Sequence, residues 1–164
     1  MIRIYGELSK QDKKFLNQAI VSTLDFLTTR RHRKNTDVVL IIKEFQDHKY
    51  LGETTYEVLD GGHRKFTIHL APSARNISKN PLIRYKKLLN TLFHELVHVK
   101  QWLNGELVQF QKSVRFKGEK YNFDPDDDLA YYGAPEEMEA RGYEQYLYAR
   151  FKKLVTQKPT EKPV

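Results

Sequence analysis

His94 and His98 stand four residues apart with Glu95 directly after the first, in the run His94-Glu95-Leu96-Val97-His98. Four residues of α-helix advance about 6 Å and end only about 40° past a full turn, so both imidazoles leave one face and can share an ion. Glu95 is about 100° round the axis from His94, on the side where a water held by that ion would sit. A metal lowers the pKa of such a water towards about 7, and a carboxylate beside it takes the proton as the water attacks a polarised carbonyl. Chance produces this HExxH pattern in roughly one chain in sixty of this composition. The expected chemistry is therefore hydrolysis of a peptide or amide bond, with Zn2+ as the cofactor, His94 and His98 as ligands and Glu95 as general base.

A catalytic zinc needs a third protein ligand and one open position. The chain has no cysteine, so that ligand is His, Asp or Glu. Gly105 and Glu106 do not lead to a further histidine at a useful spacing, whereas Glu136, Glu137 and Glu139 crowd the start of a later helix. Helix phase alone leaves the choice among these three open: Glu136 lies nearer the apolar stripe than Glu137, and Glu139 lies furthest from it. A donor for the developing oxyanion is expected from Tyr132 or Tyr131, just ahead of the same helix. His32, His48 and His63 sit in polar or basic surroundings and read as surface groups. Asp124, Asp126 and Asp128 have calcium-loop spacing, but Leu129 replaces the glycine such a loop requires, which leaves at most a weak surface ion site.

The elements that must position these groups follow from pattern. Pro81 can open a helix, and Leu82, Tyr85, Leu88, Leu89, Leu92, Leu96, Val99 and Leu103 keep one apolar face up to a stop at Gly105. Upstream come a short strand at residues 2–5, a helix capped by Ser9 with Asp12 that ends near Arg30, and a doubly buried strand over residues 38–45. Residues 53–59 and 65–70 alternate about Asp60-Gly61-Gly62-His63, the signature of a hairpin. Residues 106–134 are irregular and read as a long excursion with at most one short element. A last helix begins near Pro135 and buries Ala140, Tyr143, Leu147, Phe151 and Leu154. The prolines after Thr156 predict a disordered tail over 156–164 behind one domain of residues 1–155.

The segments His94-Glu95-Leu96-Val97-His98-Val99-Lys100-Gln101 and Pro135-Glu136-Glu137-Met138-Glu139-Ala140 resemble small gluzincin-like metallopeptidases of phage and bacterial type, similar in layout to SprT-like proteases. The resemblance covers about residues 85–147 by motif, and earlier residues only by order of elements. It implies an α+β, minimal zincin-like domain: an N-terminal helix, a small, mostly antiparallel sheet, the HExxH helix and a C-terminal ligand helix. The ligand glutamate of that pattern stands three residues before an alanine, which implies Glu137 ahead of Ala140. It also implies that an edge strand beside the active-site helix binds substrate backbone, with residues 65–70 in the right chain position. His69, on the face opposite Phe66, Ile68 and Leu70, reads as a solvated histidine, with the cleft lining as the alternative. Two departures are Glu136, where relatives often carry an aromatic residue, and Arg141, where many carry an acid that supports a ligand histidine.

The remaining composition bounds the partners. Forty per cent hydrophobic residues, with ten Tyr and nine Phe, are enough for one independent core in 164 residues. No apolar run reaches membrane-spanning length and no signal-peptide pattern opens the chain, so the expected setting is cytoplasmic, in a bacterial cell or a phage-infected host, without a membrane partner. The net charge of +7 and the cluster Arg30-Arg31-His32-Arg33-Lys34 admit a rival, a non-catalytic, metal-stabilised module that binds nucleic acid. Glu95 separates the two readings, since a purely structural metal site has no use for a carboxylate there. A combination is also consistent: a peptidase whose basic surface confines cleavage to proteins on DNA.

Overall fold

A computed structural model describes residues 1–44, 51–72, 78–110, 113–122 and 127–157, apart from the side chains of Asp60 and Asp128. Phe45, His48, Asp124, Asp126 and the tail from residue 158 lie outside these residues, so the expectations attached to them do not enter the description.

The chain forms an α+β structure. Strand β1 (Ile2–Tyr5) leads into helix α1 (Lys10–Leu27), whose first turn is capped as expected: the Ser9 hydroxyl accepts from the Asp12 amide at 3.1 Å. The basic cluster then winds into a separate short helix, α2 (Arg30–Lys34), and the chain enters β2 (Thr36–Ile42). Strands β3 (Gly52–Val58) and β4 (Arg64–Leu70) make the anticipated hairpin, with Gly61 and Gly62 at φ of 73° and 75° in the connection. Strand order is β1-β2-β4-β3, with β1 and β4 both parallel to β2 and only β3 antiparallel to its neighbour. This sheet therefore corrects the mostly antiparallel expectation. Helix α1 crosses back over the sheet between β1 and β2, which makes that pair parallel.

One long helix was expected from Pro81, but the chain makes a single turn, α3 (Pro81–Arg84), breaks at Tyr85, and continues as α4 (Lys86–Leu103). Tyr85 is buried against Phe15 at this corner. Helix α4 is buried on nearly every side, because the sheet, α1 and α6 (Pro135–Thr156) all pack on it. Phe66, Ile68 and Leu70 of β4, Leu88, Leu92 and Leu96 of α4, and Ala140, Leu147 and Phe151 of α6 belong to one core. Each such fully buried side chain contributes about 1.5–3 kcal/mol.

The supposed irregular stretch after α4 is more ordered than its pattern suggests. Strands β5 (Leu107–Gln109), β6 (Ser113–Phe116) and β7 (Glu119–Asn122) form an antiparallel meander with its own small core of Leu107, Val114 and Phe116, and α5 (Asp128–Gly133) precedes α6. Strands of three or four residues are too short to display an alternation. Helix α6 continues through Thr156, one residue into the segment expected to be disordered. Among the described residues no helix is long and apolar enough to cross a membrane.

Candidate metal centre

Helix α4 carries His94 and His98 one turn apart, and the first turn of α6 brings Glu137 up to both. Nε2 of His94 lies 3.1 Å from Oε2 of Glu137, and Nε2 of His98 lies 3.1 Å from Oε1. The two Nε2 atoms are themselves 3.1 Å apart. Ligands about 2.1 Å from a tetrahedral ion would be about 3.4 Å from one another, so this triangle needs only slight expansion to take one ion. The three groups can hold a metal.

Hydrogen bonds behind the rings define which nitrogens face inward. The Gln101 amide nitrogen donates to the Glu136 carbonyl at 3.0 Å, so its Oε1 atom, 2.8 Å from Nδ1 of His98, must accept. His98 therefore carries its proton on Nδ1 and presents a bare Nε2. On the other ring, Nδ1 of His94 donates to Glu144 at 2.9 Å. Two imidazole lone pairs and a carboxylate then converge, an arrangement that repels itself unless a cation or protons sit between them. Oε2 of Glu137 is buried and makes no contact in hydrogen-bond geometry, with His94 Nε2 at 3.1 Å and the Arg141 guanidinium at 3.6 Å beside it. Both observations fit a metal.

Without metal, protons take its place. Burial pulls His94 down, but contact with Glu137 and Glu144 and the charge of Glu95 outweigh it and lift the ring to about 9. His98 is raised on the same balance. Burial works to raise Glu137, yet the two histidines hold its carboxyl well below the usual range.

Glu95 is buried beside this triangle, and burial raises its carboxyl against the pull of both histidines and of Thr54. The Thr54 hydroxyl donates to its Oε2 at 2.6 Å. Gly52, two residues earlier on β3, makes room for the other oxygen: a Cβ there would stand 2.8 Å from Glu95 Oε1 and 2.5 Å from the Thr91 methyl.

The remaining expected residues divide. Glu136 is buried and lines the cleft, but its carboxylate accepts from the Tyr121 hydroxyl rather than joining the triangle. Glu139 turns away into ion pairs with Lys100, at 2.7 Å, and Lys117. Tyr132 is 52 % exposed and lies beneath the Arg141 guanidinium, outside the cleft lining, whereas Tyr131 lines it. Burial and the charges of Glu137 and Glu95 raise Tyr131, which keeps its hydroxyl protonated. His69 does line the cleft.

The cleft measures about 1030 Å³ and runs between β3 and α4 on one side and β5, β6 and the start of α6 on the other. Strand β4 cannot take substrate backbone, because β2 and β3 occupy both its edges. Among the described residues β3 pairs only with β4, so the outer edge belongs to β3. The basic helix α2 feeds the Thr36 end of β2, whereas Gly52 and Leu70 flank the opposite, Ile42 end.

Glu144, Gln101, Thr54 and Gly52 were not anticipated. Two signals were present: Gln101 is three residues after its partner His98 on α4, and Glu144 is seven after Glu137, on the same face of α6. No family model, curated protein or solved structure matches the chain.

Proposed function

We propose that this protein is a zinc-dependent metallopeptidase. The observation that carries the reading is the convergence of two Nε2 lone pairs and the Glu137 carboxylate, with a buried, proton-accepting Glu95 directly alongside. A donor set of two imidazoles and one carboxylate with no thiolate suits zinc. Zinc held there would supply Lewis-acid polarisation of a carbonyl and a water acidic enough to act near neutral pH.

The chain's own residues supply the rest. Glu95, kept in place by Thr54, accepts the proton that the attacking water gives up and returns it to the departing amine. Tyr131, protonated and facing the cleft, donates to the oxygen that gains charge. The outer edge of β3 offers backbone N–H and C=O groups to an extended peptide, as strand addition requires. His98 and His94 are kept in one tautomer by Gln101 and Glu144, so that neither ring has to reorient during turnover.

The test is a pair of measurements on the full chain. Metal analysis is expected to give about one zinc per chain, and Glu95→Gln to retain it while peptide hydrolysis falls roughly 10²- to 10⁴-fold. Zinc bound as tightly after His94→Ala with His98→Ala would reject the site, and undiminished hydrolysis by Glu95→Gln would reject the mechanism. The basic α2 helix supports an added nucleic-acid contact away from the catalytic groups, whose affinity would fall steeply with salt.

A further inference from the structure

The side chains on the α4-facing side of β3 form a graded series. Gly52 and Thr54 touch Glu95, and the next residue on that face, Tyr56, stacks on Phe66 at 5.2 Å and on Trp102 at 5.5 Å with the rings 17° from parallel. Leu107 and Val114 of the small sheet line the cleft together with Trp102 and Tyr56. Lys43, Glu53 and His69 also border the cleft, Glu53 and His69 as register partners on the opposite face of the sheet from Gly52, Thr54 and Tyr56. Tyr56 keeps 39 % of its surface exposed, so its ring is accessible from the cleft that it lines.

We propose that the aromatic end of the cleft, walled by Tyr56, Trp102, Leu107 and Val114, is a seat for one large apolar side chain, aromatic or branched aliphatic, of an extended peptide lying on the edge of β3 that pairs with no strand among the described residues. This rests on the peptidase reading and adds the substrate class. Alternate residues of an added strand lie about 7 Å apart on one face. A substrate residue level with Tyr56 is therefore one such step from the residue level with Thr54 and Glu95, so the apolar side chain sits at a fixed offset from the bond that is cut. Flat indole and phenol faces favour another ring in offset or edge contact. A carboxylate or ammonium placed there would lose its water without a partner.

Trp102 is the only tryptophan in the chain, so binding at this seat reports on itself without turnover. The experiment uses acetylated, amidated five-residue peptides alike except for a central Phe, Leu, Asp or Lys. They are titrated into the full chain carrying Glu95→Gln, with and without zinc, while Trp102 emission is followed. The Phe and Leu peptides are expected to shift the emission at concentrations roughly ten- to a hundredfold lower than the Asp and Lys peptides. Trp102→Ala would open both cores, so Tyr56→Ala is the working variant; it keeps the reporter and is expected to erase the discrimination, with Tyr56→Phe restoring it. An equal response to all four peptides, or discrimination that survives Tyr56→Ala, overturns the proposal. If the Phe peptide shifts Trp102 but the wild-type protein never cleaves it, the seat stands and the peptidase reading falls. If all four are cleaved alike with no emission change, the reverse holds.

Discussion

Oε1 of Gln101 lies 2.8 Å from Nδ1 of His98 and can only accept there, because the amide nitrogen of the same side chain is committed to the Glu136 carbonyl. A glutamine that does not touch the metal position thus sets the tautomer of a histidine that does. Gln101 is fully buried, so no water takes over if it is lost. Gln101→Leu is expected to weaken zinc binding about 10- to 100-fold, and Glu144→Leu to do likewise through His94. Competition against a chromophoric chelator measures both, and unchanged affinity in both variants would contradict the assigned tautomers.

The metal-free protein should respond to pH through the same groups. His94 is raised from 6.5 to about 9 in the fold, so the stability it contributes is fully present below 6.5 and is lost as pH rises through about 9. Glu137, depressed in the fold, acts oppositely: its contribution is present above its unfolded value of 4.5 and is lost as acid protonates it. In chelator, Tm is expected to be highest between these limits. Since metal must displace the proton on His94, zinc affinity should climb with pH up to about 9. A zinc affinity flat over that range would remove His94 from the ligand set.

Gly52→Ala tests how closely β3 approaches the Glu95 carboxylate. The added methyl would crowd Glu95 Oε1 and the Thr91 methyl, and overpacking of this kind typically costs about 1–3 kcal/mol. Zinc content should be unchanged while hydrolysis drops at least tenfold, because Glu95 moves and the ligands do not. Loss of zinc together with activity would show that the strand supports the ligands instead.

Glu137 and Glu139 are two positions apart and should separate cleanly. Glu137→Ala is expected to abolish tight zinc binding. Glu139→Ala should keep the zinc but destabilise the fold by about 1–3 kcal/mol, since it strips Lys100 of one of its two carboxylate partners. Thermal melts and metal analysis on the two variants decide the matter.

Local signals were legible where a local rule applies. The Ser9 cap, the glycine hairpin and the His94-Glu95-His98 spacing all depend on residues within a few positions of one another, and each is present in the fold. Choosing among Glu136, Glu137 and Glu139 required knowing how α6 is rotated against α4, which is set by long-range packing of Ala140, Leu147 and Phe151. Strand order was hidden for a similar reason: a hairpin pattern in β3 and β4 says nothing about which of the two abuts β2. Tyr131 and Tyr132 have equal claims in sequence, and only the fold separates the ring in the cleft from the ring under Arg141.

The border of β3 that pairs with no strand among the described residues has a bearing on how the protein behaves in concentrated solution. An unpaired strand is a template for another copy of itself as well as for a peptide. Were two copies to meet antiparallel about Thr55, Glu53 of each would stand directly across from Glu57 of the other, and like charges so placed repel. Glu53 and Glu57 within β3 thereby oppose that pairing, while leaving the same border available to a segment that brings neutral or basic side chains.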